Sequence, residues 1–235
     1  MATIYLVRHG QASFGAENYD KLSDLGCRQA AVVGEYFSDQ GIHFDAVYSG
    51  DLSRQRNTAR LAIASQPADV PHHVDARFNE IQNDQQLKYL VPEVIKFDSK
   101  IEAMVDKGLS SSKDYQKVIE AVFNYWVSPA CNETRIQSWA EFSGGARQAM
   151  ADVMQEQGAG KTIGIFTSGG TLATIVAQIL GLDGEKTYQL YEPIVNCSVT
   201  QLFYSRSKIS LSYYNDSSFL QVLGQQQGEA LISYR

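Results

Sequence analysis

Short apolar runs alternate with amphipathic ones along much of this 235-residue chain, and that alternation constrains the fold more than any other feature. Ile4-Tyr5-Leu6-Val7, Asp45-Ala46-Val47-Tyr48, the stretch 73–78 and Thr162–Phe166 read as strands bounded by polar or glycine-containing turns. Between the first two, Ser23 reads as a helix N-cap. Cys27, Ala30, Gly34 and Phe37 then mark one helical face, and Gly41 closes the helix in a left-handed cap. A second helix covers roughly residues 51–65, with Ser49 or Asp51 able to cap it, and another runs over Thr171–Leu180. Strands that alternate with helices in this way favour an α/β layered fold around a mainly parallel sheet. Open sheets of that kind bind ligands outside the carboxyl ends of their strands.

Residues 82–133 break the rhythm. Pro92 reads as a first-turn residue of one helix, Ser110-Ser111-Ser112 as a loop, and Tyr115, Val118, Ile119, Val122 and Trp126 as the apolar face of another. The region is either a helical cover over the active edge or an appendage without a role in binding. Tyr89, Tyr115, Tyr125 and Trp126 could contact a substrate or simply pack. Ser138-x-x-Glu141 has the form of a capping box opening a helix over Phe142, Ala146, Ala149 and Val153, although Gly144-Gly145 lies inside it. Asn196–Tyr204 and Lys208–Tyr214 read as an antiparallel hairpin, and the glutamine-rich Gly224–Gly228 as a loose tail.

The residues just past the strand ends carry the chemistry. Arg8-His9-Gly10 follows the first strand. His9 is a candidate nucleophile, Arg8 a planar cation suited to phosphate, and Gly10 allows a close backbone approach. Arg54 lies in the first turn of the second helix, near the positive end of its dipole. Glu80 leaves the third strand, and Ser168-Gly169-Gly170 joins the fourth strand to a helix whose amides form an anion site. Each residue has a plainer reading: a His at a strand end, an Arg on a helix surface, a solvated Glu. Arg56, two positions beyond Arg54, faces elsewhere on the helix. His72 and His73 are adjacent on a strand and point to opposite faces, so they do not share a metal, and His43 looks incidental.

Taken together, Arg8-His9-Gly10, the Ser-x-Leu-x-Arg-like stretch Ser49–Ala59, Glu80, Gly169-Gly170, Asn196–Val199 and Asn215-Asp216 resemble the histidine phosphatase superfamily, also called phosphoglycerate-mutase-like. The resemblance spans residues 1–81 and 160–220. It implies a three-layer αβα sandwich with a mainly parallel sheet, an antiparallel C-terminal edge and a helical insertion. The whole of 1–235 is then one domain, with 82–133 as a cap-like insertion. It also implies a phosphomonoester hydrolase acting through a phosphohistidine on His9. Glu80 serves as general acid and base, and Arg8, Arg54, Ser168 and the amide of Gly169 bind phosphate, with no metal or cofactor. One departure stands out. The family's second histidine should stand at Ser168, and the four histidines here are His9, His43, His72 and His73. The family often has a hydroxyl residue three positions after the first histidine and Asn six after it; this chain has Ala12 and Gly15, with Ser13 and Asn18 displaced. A slow phosphatase is therefore expected.

Composition narrows the alternatives. A net charge of −6 argues against nucleic-acid binding, which needs a basic face, but leaves room for a local arginine pocket. Cys27, Cys131 and Cys197 form no metal-ligand spacing and read as buried free thiols. Neither a signal peptide nor a membrane span is evident, so a cytoplasmic protein is expected. The expected partner is a small phosphorylated substrate or inorganic phosphate; nothing in the sequence speaks to oligomeric state. The rival functions are a degenerate phospho-ligand binding protein, a phosphoglycerate-mutase-type phosphotransferase, and a partner-binding module using the insertion.

Overall fold

A six-stranded sheet organises the chain in the computed structural model, which describes residues 2–13, 19–109 and 111–234. In chain order, β1 (Ala2–Arg8), α1 (Asp24–Asp39), β2 (Ala46–Ser49), α2 (Ser53–Ile63) and β3 (His72–Val74) form the first half. The helices α3 (Asn83–Val94), α4 (Ser99–Asp106) and α5 (Ser112–Val127) follow. Then come α6 (Trp139–Gln157), β4 (Thr162–Thr167), α7 (Gly169–Leu180), α8 (Gly184–Tyr191), β5 (Val199–Ser205), β6 (Lys208–Asp216) and α9 (Ser218–Gln227). The spatial order is β3-β2-β4-β1-β5-β6. The first four strands run parallel; β5 is antiparallel to β1, and β6 to β5.

Strand alternation explains the layers. Ile4 and Leu6 of β1 join Tyr48, Ile163 and Ile165 in a core against Ala146, Ala149 and Met150 of α6 and Leu172, Ile175 and Val176 of α7. Tyr5 and Val7 point the other way, with Val47 and Phe166, into a second core against α1, α2 and Leu220 of α9. A sheet covered on both faces needs near-continuous apolar strands, which is how β1 and β4 read in the sequence. The result is the expected three-layer αβα arrangement with an antiparallel edge. The helices α3, α4 and α5 build a third core of their own. Leu90, Ile101, Val118, Val122, Phe123 and Trp126 meet Phe142 of α6 and Tyr188 of α8 there.

Local signals were read well where a side chain caps a helix. Ser23 accepts from the amide of Gly26 at the start of α1, and Ser138 and Glu141 form the reciprocal capping box of α6. Several expectations need correction. Pro92 sits near the end of α3, not at a helix start, because the polar run at 83–86 is itself helical. The Ser110–Ser112 stretch is not simply a loop: Ser111 caps α5 by accepting from Asp114, and Ser110 lies outside the described residues. Gly144-Gly145 does not interrupt α6, whose buried face outweighs a cost of about 1 kcal/mol per glycine. The third strand ends at Val74 and gives way to a 3-10 turn over Ala76–Phe78, capped by Asp75. The glutamine-rich tail is not loose: it completes α9, and Gln227 accepts from Arg28 of α1 at 2.7 Å. Of the cysteines only Cys197 is buried; Cys27 is exposed, so it lies off the packed face of α1, and Cys131 is half-buried. Among the described residues, no helix is long and apolar enough to cross a membrane.

Gly10 has a packing use that its sequence context did not suggest. A Cβ there would stand 2.4 Å from the carbonyl oxygen of Gly26, so glycine permits a close approach to the start of α1. Both partners in that clash are backbone. Gly10→Ala is therefore expected to cost about 1–3 kcal/mol, a fall of several degrees in Tm for a chain of this length. An unchanged melting curve would contradict this packing.

Candidate active site

The carboxyl ends of β1, β2 and β4, with the segment after β3, converge on one edge of the sheet, the edge at which open α/β sheets bind ligands. His9, Arg54, Ser168 and Glu80 follow those four strands.

His9 is 4% exposed and fixed through its backbone. Its amide donates to the Thr167 carbonyl at 2.8 Å, and its own carbonyl accepts from Nδ2 of Asn196 at 3.0 Å. The next amide, of Gly10, donates to Oγ1 of Thr58 at 3.0 Å. The ring is fixed as well. Nδ1 lies 2.7 Å from the Gly10 carbonyl, and Nε2 lies 3.1 Å from Nε of Arg54. A carbonyl only accepts and a guanidinium only donates. The proton therefore sits on Nδ1, and the Nε2 lone pair faces Arg54. Burial first, then the charges of Arg54 and Arg8, hold the imidazole well below its ordinary 6.5. The ring is neutral at pH 7.

Arg54, the second residue of α2, is 7% exposed. Its Nη1 pairs with Oδ1 of Asp20 at 2.7 Å, and the Tyr19 ring lies 5.6 Å away. The other oxygen of Asp20 accepts from the amide of Ser53 at 2.7 Å. Asp20 thus caps α2 from a distant segment, and neither Ser49 nor Asp51 does so; the residue at the cap position is Leu52. Arg8 donates through Nη1 to the Ile194 carbonyl. Its Nε is buried without a hydrogen-bond partner among the described residues. Arg56 is exposed, as its helical position predicts.

Glu80 is not solvated loop charge. Its Oε1 accepts from the amides of Ile81 at 2.9 Å and Gly170 at 3.0 Å. Burial raises its pKa above the ordinary 4.5, outweighing the opposing pull of Arg54 and Arg8. Gly170 lies in the first turn of α7, so one amide of that helix start is already committed to the carboxyl group. Ser168 caps α7 by position but makes no side-chain cap bond. It is fully buried, and its oxygen accepts from Nε2 of Gln55 at 2.7 Å. Gly169 is also buried, and its Cα faces the Tyr191 ring and Nε of Arg8.

Sequence reading missed Asp20, Gln55, Thr58 and Tyr191, and gave Asn196 no role. Thr58 lies one turn beyond Arg54 on α2, so the helical repeat could have flagged it. Asp20, Tyr191 and Asn196 reach the site only through tertiary packing. Tyr191 also ties the site to the helices of 83–127, whose core it packs against. Gly15 and Asn18 lie outside the described residues. His72 donates to or accepts from Oγ of Ser49 at 2.9 Å, and His73 stacks on Tyr48. Among the described residues, no group of three His, Cys, Asp or Glu side chains could hold a metal ion.

Known proteins agree with this architecture. The 2,3-bisphosphoglycerate-dependent phosphoglycerate mutase of Allorhizobium ampelinum is 36% identical over 67 residues, 26% of this chain and 32% of the mutase. A broad-specificity phosphatase of Saccharomyces cerevisiae is 33% identical over 75 residues, 29% of this chain and 33% of the phosphatase. The matched stretch spans about a third of the length of these curated relatives. Among solved structures, YhfR of Bacillus stearothermophilus superposes with a TM-score of 0.68 at 19% identity, covering 93% of this chain and 99% of YhfR. Phosphoserine phosphatase of Entamoeba histolytica, in complex with phosphoserine, gives 0.63 at 18% identity over 94% and 100% of the two chains. At these identities the likeness establishes the fold. The family model of the histidine phosphatase superfamily (branch 1) matches residues 4–96 and 101–217, and the chain belongs to that superfamily.

Proposed function

We propose that this chain hydrolyses small phosphomonoesters through a phosphohistidine on Nε2 of His9. The observation that carries the reading is the setting of His9: Nδ1 lies against the Gly10 carbonyl, so a lone pair and not a proton stands on Nε2, where it accepts from the Arg54 guanidinium. In the first step that lone pair forms a bond to phosphorus. The bond from phosphorus to the ester oxygen breaks, and the Glu80 carboxyl group gives its proton to the departing oxygen. In the second step Glu80, now a carboxylate, takes a proton from water. The water oxygen bonds to phosphorus, and the electrons of the N–P bond return to Nε2. Arg8, Arg54 and the Gly169 amide hold the nonbridging oxygens. Arg54 covers the nucleophile before substrate arrives, and phosphoryl oxygens draw its guanidinium off the nitrogen. The scheme asks for no cofactor.

Ser168 sets the expected speed. Replacing a charged donor by a neutral hydroxyl forgoes the difference between a charge-assisted and a neutral hydrogen bond, about 1–1.5 kcal/mol, or roughly tenfold in rate. The substrate class follows the chemistry of the pocket, a phosphomonoester small enough to enter beside Tyr191. Phosphorylated acids such as phosphoserine and 3-phosphoglyceric acid, with which the Entamoeba phosphatase has been crystallised, belong first in a screen. The test is phosphate release from such a panel. The native chain is expected to release phosphate well above a protein-free blank; no release from any ester would contradict the hydrolase reading.

Acidity should shape the rate with a definite sign. His9 attacks only when deprotonated, so kcat/KM rises with pH through a pKa below 6.5. Glu80 donates only when protonated, so the rate of alkyl ester cleavage falls as pH climbs through a pKa above 4.5. The pH–rate profile of an alkyl phosphate is therefore expected to be a bell, its acid limb set by deprotonation of His9 and its alkaline limb by deprotonation of Glu80. A rate that climbs steadily into alkaline solution would contradict these two roles.

A further inference from the structure

Gln55 follows Arg54 on α2, yet its side chain is fully buried and reaches across the site. Its Nε2 donates to the Phe78 carbonyl at 3.0 Å and to Oγ of Ser168 at 2.7 Å. The Phe78 carbonyl can only accept, which fixes the amide nitrogen on that side. Ser168 is therefore an acceptor toward Gln55, and its own proton must go elsewhere. Among the described residues, no protein group takes it. Nor is the hydroxyl spent on α7, since Ser168 makes no side-chain cap bond there.

The spare donor has a definite address. Arg8 and Thr167 are the last paired residues of β1 and β4, so His9 and Ser168 leave neighbouring parallel strands at the same level. The buried Nε of Arg8, which also lacks a partner, lies beside Gly169. Two buried donors at the strand ends that carry His9, the Arg8 guanidinium Nε and the Ser168 hydroxyl, thus have no acceptor among the described residues. The backbone is shaped to house the amide that sets this up. A Cβ at Gly50 would stand 1.9 Å from Oε1 of Gln55, so the bend after β2 has room for Gln55 only because that residue is glycine.

We propose that Gln55 is a positioning residue for phosphoryl transfer: its amide occupies the acceptor side of Ser168 and leaves the Ser168 hydroxyl to donate to an oxygen of the phosphoryl group on His9. The proposal rests on the phosphoryl-transfer reading of the site and adds the residue that orients its neutral donor. Gln55 itself touches no substrate. Its effect runs wholly through Ser168, so the two side chains must act as one unit.

The test is a double-mutant cycle read by orthovanadate affinity, with kcat and KM on an aryl phosphate measured alongside. Ser168→Ala and Gln55→Met are each expected to weaken orthovanadate about tenfold, and the double variant no more than either alone. In turnover the same variants are expected to lower kcat while KM stays near native, a split that a general loosening of the fold would not give. Losses that multiply in the double variant, or native affinity in Gln55→Met, overturn the proposal. If Gln55→Met does not fold, Gln55→Glu takes its place. Its carboxylate accepts the Ser168 proton, so native affinity in that variant overturns the proposal equally. Coupled losses in a chain that hydrolyses no ester would retire the hydrolase reading and keep this one. Full turnover with uncoupled losses would do the reverse.

Discussion

His9→Ala is expected to lower phosphate release by at least about a thousandfold while leaving ester binding within a few fold of native. The two halves of that outcome come from different groups. In the proposed scheme turnover depends on the Nε2 lone pair, and the remaining histidines lie elsewhere, His72 on Ser49, His73 on Tyr48 and His43 exposed. Binding depends on Arg8 and Arg54, which stay. Truncation even frees Arg54 from the contact at 3.1 Å that it makes with the ring. The backbone bonds of residue 9 to Thr167 and Asn196 do not involve the imidazole, so the fold survives and a melting curve can verify it. Loss of binding together with turnover would mean that His9 serves affinity and not attack.

Glu80→Gln is expected to reduce kcat/KM, which reports the first step, by roughly 10²–10⁴-fold on an alkyl phosphate and far less on p-nitrophenyl phosphate. The substitution keeps the shape of the side chain and an oxygen to accept from Ile81 and Gly170, so the amides at 2.9 and 3.0 Å keep their partner. What disappears is the ionisable carboxyl proton, which burial makes harder to lose. An alkoxide leaves badly without that proton, whereas nitrophenolate leaves well without it. Cleavage of the N–P bond also loses its base, so a phosphoenzyme should accumulate. Equal losses on both esters would place Glu80 in a binding role and remove it from proton transfer.

What the sequence disclosed depended on whether the signal was local. The strands β1 and β4 were legible because a sheet buried on both faces leaves continuous apolar runs, and the caps at Ser23 and Ser138 because their hydrogen bonds close within three residues. His9, Arg8, Arg54 and Glu80 stood out because each sits just past a strand or at a helix start. Asp20 was invisible for the opposite reason: it caps α2 across 33 positions of sequence. Gln55 was hidden by proximity to Arg54, since the next residue on a helix looks as if it faces away. Only packing reveals that its longer amide turns back beneath Phe78 to Ser168. The α9 tail was misread because glutamine repeats look like linker; Gln225–Gln227 are indeed exposed, and it is Leu220, earlier in the same helix, that packs into the core with α1.

In the proposed reaction phosphorus must reach one nitrogen, Nε2 of His9. The most direct measurement is rapid quenching of Glu80→Gln into alkali during turnover of a labelled phosphate ester, followed by mass analysis of the peptide that contains His9. The label is expected on that peptide, bound to the imidazole, stable to base and lost in mild acid. Label on a serine, or continued phosphate release with none on His9, would contradict the account.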